Sequence, residues 1–157
     1  MRQIHPAKIA VRSGLFLIFS AVLFSFSLSR GGDVFKIFLN DKMVVEQFVS
    51  EKTSVKMLTL DQSNLNDRIS IYYSHCGQIG KKRAIVIRDA QDQVLKEWRF
   101  TDSKGEHQPM VMAVKDILQL QKNHSKLKVY YSSVELPGGK LLATVVSSGK
   151  NTRITRP

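Results

Sequence analysis

Along residues 68–74 the chain alternates. Ile69, Ile71 and Tyr73 fall on one side of a two-residue period, and Arg68, Ser70, Tyr72 and Ser74 fall on the other. That is the pattern of a half-buried β-strand. Gly77 and Gly80 then break the run. Residues 84–87 (Ala-Ile-Val-Ile) resume as an unbroken apolar stretch, which fits a central strand covered on both faces. Asp89 and Asp92 mark a second turn, because Asp favours reversal by bonding its own backbone. Residues 94–100 return with Trp98 and Phe100 on one face and Glu97 and Arg99 on the other. Two short reversals predict an antiparallel meander, since a parallel crossover needs a dozen or more residues.

The same pattern recurs on both sides of this meander. Residues 34–39 place Phe35, Ile37 and Leu39 on one face, Asn40-Asp41-Lys42 turns the chain, and residues 43–49 return. Residues 54–60 alternate weakly as a further strand, and residues 61–67 are polar turn formers apart from Leu65 and Gln62. After Phe100, residues 101–108 form a polar connection and 109–115 read as a strand. Residues 116–122 read as a short helix with Asp116 near its start, where a negative charge suits the exposed amides. Residues 127–133 and 141–146 complete the strands, separated by the Pro137-Gly138-Gly139 turn.

Short strands at regular spacing with turn signals between them predict an all-β fold. The expected form is an antiparallel β-sandwich of about 8 strands with one short helix near 116–122. An immunoglobulin-type sandwich would carry a cysteine pair that this chain lacks. The segments Tyr72-Tyr73-Ser74 and Tyr130-Tyr131-Ser132 have unmatched flanks, so they read as a coincidence of strand composition rather than a repeat.

The first residues change the picture of where the chain goes. Arg2, Lys8 and Arg12 precede an uncharged apolar run at 15–28, and Ser27-Leu28-Ser29 offers small residues before Arg30. This is the three-part layout of a signal peptide over 1–29. An uncleaved anchor is the alternative, although the run is shorter than the roughly 17–25 residues of a spanning helix. The organisation is therefore a leader over 1–29, one β-sandwich domain over 30–147 and a flexible basic tail over 148–157. The expected location is outside the cytoplasm: periplasmic, cell-surface or secreted.

The chain has 24 basic and 13 acidic residues, a net of +11. The leader holds three of the bases and none of the acids, which leaves 21 against 13, a net of +8. Such a surface attracts anionic partners, but export argues against nucleic acid. A single cysteine, Cys76, excludes an internal disulfide framework.

Candidate chemistry is sparse. His75 and Cys76 are adjacent soft ligands that could hold zinc or copper with help from His107 or His124. Against this, strand neighbours point to opposite faces, and no Cys-x-x-Cys or His-x-His spacing occurs. The competing expectation is a buried cysteine beside a polar turn histidine. No Gly-x-Ser-x-Gly elbow or other hydrolase signature is found, and no cofactor is implied. Lys81, Lys82 and Arg83 put three cations on a turn that could meet an anion. Tyr72 and Tyr130 face away from the apolar set if Tyr73 and Tyr131 point inward, and exposed tyrosines make good contact residues. These readings predict a non-enzymatic exported binding module for an envelope protein or glycan. The alternative is a metal-binding or redox protein using His75 and Cys76.

Overall fold

The computed structural model describes residues 32–49, 54–104 and 108–147. The expected leader and basic tail lie outside the described residues. Nine strands are present among those described: β1 (Val34–Leu39), β2 (Lys42–Phe48), β3 (Lys56–Leu60), β4 (Arg68–Ser74), β5 (Ala84–Arg88), β6 (Val94–Arg99), β7 (Met110–Ala113), β8 (Lys126–Ser132) and β9 (Lys140–Ser147). One helix, α1 (Val114–Gln121), and a single 3-10 turn at Gln62–Asn64 complete the order. No helix among the described residues is long and apolar enough to cross a membrane.

The strands form two sheets, ordered β2-β1-β4-β7 and β3-β9-β8-β5-β6. A single hydrophobic cluster draws from both. Phe35, Ile37 and Ile71 come from the first sheet, and Ile85, Ile87, Leu127, Val129 and Val145 from the second. The expected all-β, sandwich-like arrangement with one short helix is present. Each fully buried aliphatic side chain contributes about 1.5–3 kcal/mol, so this cluster is the main source of stability.

The meander expected over 68–100 is only half correct. β5 and β6 do form an antiparallel hairpin, and Asp89 closes it by accepting the Gln91 and Gln93 N–H groups at 2.9 Å each. β4 and β5, however, belong to different sheets. The neighbours of β4 are β1 and β7, and those of β5 are β8 and β6. The intervening segment crosses between sheets through left-handed conformations at Gly77 (φ 71°) and Lys82 (φ 49°). Ladder neighbours, not connection length, decide such a topology.

Pairing is also not wholly antiparallel, because β3 runs parallel to β9. These two strands are far apart in sequence, so no tight turn imposes a direction on the pair. The β1–β2 hairpin closes as expected through Asn40 (φ 53°). Asn40 then grips the start of β4: its N–H donates to the Arg68 carbonyl at 2.8 Å, and its side chain donates to Asp67 at 2.9 Å.

The strand expected at 109–115 stops at Ala113, and α1 begins earlier than expected, at Val114. No side chain caps it. Instead the Val114 N–H donates to the Asp67 carbonyl at 3.0 Å, a tertiary bond that satisfies one orphan donor of the first turn. Val114, Ile117 and Leu118 face the core, and Asp116 pairs with Lys96 of β6 at 3.2 Å.

Candidate functional site

The two Tyr-Tyr-Ser segments meet in space. β4 and β8 face each other, and the inward rings of Tyr73 and Tyr131 stack at 4.0 Å between centroids with 13° between planes. Around this stack lies a buried polar cluster. The Tyr73 hydroxyl donates to Asp33 Oδ2 at 2.9 Å, and the same oxygen lies 3.3 Å from His75 Nδ1. His75 Nε2 meets the Tyr131 hydroxyl at 2.9 Å and Ser133 Oγ at 3.2 Å. A carboxylate only accepts, so Nδ1 carries the proton toward Asp33. Burial, then the Asp33 bond and its charge, pushes the Tyr73 phenol far above its ordinary value. The Tyr131 phenol is also raised, mainly by burial. Both rings stay neutral donors.

Gly80 makes room for this arrangement. A Cβ there would sit 2.9 Å from the Tyr131 hydroxyl and 3.1 Å from Arg83 Cδ. The cluster ties together the entry to β1, the crossover after β4 and the loop after β8.

Asp33, His75 and Ser133 stand in the order of a nucleophilic triad. A triad serine must be open to substrate and hold the histidine lone pair. Here Ser133 is only 6% exposed, and Tyr131, wholly buried, shares the same nitrogen at the shorter distance. The arrangement is that of a structural latch, not of an enzyme's active site.

The expected buried cysteine beside a polar turn histidine is not what is found. His75 is 6% exposed, whereas Cys76 is exposed. The Cys76 N–H donates to Asp33 Oδ1 at 3.2 Å, which anchors the backbone and turns the thiol outward. Both His75 nitrogens are engaged within the latch. Among the described residues, no three His, Cys, Asp or Glu side chains gather as metal ligands. His124 is half-buried on its loop, and His107 lies outside the described residues.

The three cations of the turn do not act together. Lys81 and Lys82 are exposed, and their N–H groups are held by Glu135 at 2.9 Å and Asp102 at 2.8 Å. Arg83 is not on the exposed turn. It is 1% exposed, and it donates from Nε to the Thr101 carbonyl and from Nη1 to that of Gln108. Burial lowers its pKa, but a guanidinium stays charged, and its bonds hold Thr101 and Gln108 against β5.

The outward tyrosines end up in different company. Tyr130 lies under the Arg88 guanidinium at 4.9 Å, and its hydroxyl donates to Asp92 at 3.3 Å. Lys128 salt-bridges the same carboxylate at 2.8 Å. Tyr72, on the outer side of the first sheet, packs edge-to-face against Phe38 at 5.4 Å. Register places Phe38 beside Met43, Val34 beside Phe48, and Ser70 beside Val111. Met43, Phe48 and Val111 are exposed, Phe48 by 70%. The only ion pair crossing this face is Lys36–Glu46 at 2.8 Å, among the described residues. The first sheet thus carries an apolar strip on its outside, and the second carries a net of charges.

Of the expected site residues, only Tyr72 belongs to this strip. Phe38, Met43, Phe48 and Val111 were missed. The signal was present for Phe38: if Phe35, Ile37 and Leu39 face the core, Val34 and Phe38 must face outward. The fold is that of a β-rich, sandwich-like module with an apolar strip on the outside of one sheet. No protein-family model matches the chain, and no curated protein matches it.

Proposed function

We propose that the chain is an exported, non-enzymatic β-sandwich module that binds a protein of the cell envelope through the outer face of its first sheet. The Phe38–Tyr72 edge-to-face pair at the centre of an exposed apolar strip carries the reading. Rigid aromatic rings surrounded by aliphatic side chains are the usual anchors of protein interfaces. A glycan site would pair its ring platform with polar groups for sugar hydroxyls. Here the aliphatic side chains of Met43 and Val111 extend the strip, and Lys36 and Glu46 already engage each other. The basic surplus of the sequence favours a partner whose apolar surface has an acidic rim. The leader layout expected from the sequence of residues 1–29 supports export.

Crosslinking capture from intact cells, followed by reassembly with the purified partner, tests this. The Phe38→Ala/Tyr72→Ala double variant should weaken binding by about tenfold or more, as expected for central aromatic anchors. Tyr130→Ala on the opposite face should leave it unchanged. Equal effects of the two variants, or capture of a glycan alone, would overturn the reading.

A further inference from the structure

The expected leader ends just short of the point where the fold pins the chain. The sequence places the cut between Ser29 and Arg30, and the backbone is held from Gly32 onward. A Cβ on Gly32 would sit 3.2 Å from the Val49 carbonyl oxygen, so the chain already lies against the residue that follows β2. One residue on, the Asp33 carbonyl accepts the Val49 N–H at 2.7 Å. The Asp33 carboxylate accepts the Tyr73 hydroxyl at 2.9 Å and the Cys76 N–H at 3.2 Å, and lies 3.3 Å from His75 Nδ1. Tyr73 and His75 are both buried, so these bonds tie the entry of β1 into the interior.

Fraying does not release this entry. β1 is an inner strand of its sheet, with β2 on one side and β4 on the other. Both ladders begin at its first residue, since Val34 pairs with Phe48 and with Ser74. An edge strand can peel by breaking one ladder, whereas this one must break two. Phe35 and Ile37, next along the strand, belong to the core.

A peptidase takes its substrate as extended backbone bonded along a groove, so residues on both sides of the cut must be free to enter. From Ser29 to Gly32 the chain spans at most about 11 Å when fully extended. The docked strand therefore stands against the groove that has to reach the bond. A bond so placed is cut through the population in which the entry has opened.

We infer that the pinned entry of β1 sets the order of maturation: the leader is removed before β1 docks, and a chain that folds first keeps its leader. The cut is a hydrolysis in which water adds across the Ser29–Arg30 peptide bond, leaving a carboxylate on Ser29 and an amine on Arg30. The two fates open to the leader, removal and retention as an anchor, become outcomes of one race between peptidase and fold. This rests on the export reading proposed above, yet the two can fail separately.

The test uses the full chain, purified with its leader in detergent micelles, and a membrane signal peptidase. One sample is folded beforehand and the other is held unfolded in urea. A synthetic peptide of residues 15–36, added to both, corrects for enzyme activity. The unfolded chain should be cut between Ser29 and Arg30 about tenfold faster than the folded one, or more. A second chain carries a Gly/Ser insertion between Gly31 and Gly32 that adds about 20 Å of reach ahead of the pinned entry. It should keep the wild-type circular dichroism and, when folded, be cut about as fast as the unfolded chain. Equal cutting of the folded and unfolded wild type overturns the inference and leaves export standing. So does an inserted chain that stays resistant, because the protection would then not come from the entry of β1. A 15–36 peptide that is never cut between Ser29 and Arg30 sinks the leader on which the export reading rests, and the inference with it.

Discussion

Strands β4 (Arg-Ile-Ser-Ile-Tyr-Tyr-Ser) and β8 (Lys-Leu-Lys-Val-Tyr-Tyr-Ser) share one burial pattern, residue by residue. On the inside they behave alike, with Tyr73 and Tyr131 stacked and both wired to the His75–Asp33 pair. On the outside they diverge. Tyr72 packs edge-to-face on Phe38 beside its register partner Lys36, whereas Tyr130 is enclosed by Arg88, Asp92 and Lys128. The tripeptide sets which ring points inward. What the outward ring can do is set by the strands alongside. The setting of the outward ring is thus a property of the sheet face, and the same tripeptide has an aromatic neighbour on one sheet and a net of charges on the other.

The inner equivalence is open to the harshest test. Tyr73→Ala and Tyr131→Ala should each cost about 3–5 kcal/mol, the range for removing a buried aromatic ring. Urea unfolding of the two variants checks this, and a large asymmetry would break the comparison. If one were cheap, its ring would be filling space that neighbours can reclaim, and the stack would not be a joint element of the core.

Next in size is His75→Leu, which keeps the bulk and deletes both ring nitrogens. Tyr131 and Ser133 then lose their bonds to Nε2 but keep each other, and Asp33 keeps its bonds from Tyr73 and the Cys76 N–H. Losing a buried hydrogen bond costs about 0.5–1.5 kcal/mol. Unfolding should show a loss of that order. Amide exchange should quicken at Cys76 and Val134, the latter bonded to the Lys81 carbonyl at 2.9 Å, before it does in β5 or β8. A neutral substitution would mean that the imidazole serves as packing alone and that the latch is not a latch.

These features were unequally legible in the sequence. Strand positions were, because period-two alternation at Ile69, Ile71 and Tyr73 reports burial directly, and Asp89 announced its turn by a bond to its own chain. Sheet membership was not. Nothing local to residues 75–83 distinguishes a reversal from a crossing, since the outcome depends on β7 and β8 claiming the ladders on either side. The direction of β3 was hidden for the same reason, as its partner β9 lies at the far end of the chain. Arg83 looked like part of a solvated run because its acceptors are backbone carbonyls at Thr101 and Gln108, which carry no sequence signature. His75 and Cys76 were noticed as a pair, but the side each one takes is fixed by Asp33, some forty residues earlier. The apolar outer strip was half readable, through the outward parity of Val34 and Phe38, and half not, since it requires knowing that β1, β2, β4 and β7 share a sheet.

The smallest expected effect sharpens the outer contrast. Hydrogen bonding from Lys128 holds the Asp92 carboxyl below its ordinary value, and its burial only partly opposes this. A carboxyl depressed in the folded state adds stability that is fully present above its unfolded value, near 3.9, and is lost as pH falls through the folded one. Asp92→Asn should therefore lower the thermal midpoint slightly at about pH 6, and the gap to wild type should close on acidification to about pH 2. Tyr72→Phe, whose hydroxyl bonds no carboxylate among the described residues, should show no pH-dependent gap at all. Matching pH profiles for the two variants would mean that the Arg88–Tyr130–Asp92–Lys128 net is too solvated to hold Tyr130 in place. The second sheet would then lose its distinction as the closed face, and Tyr130 would stand as free to bind a partner as Tyr72.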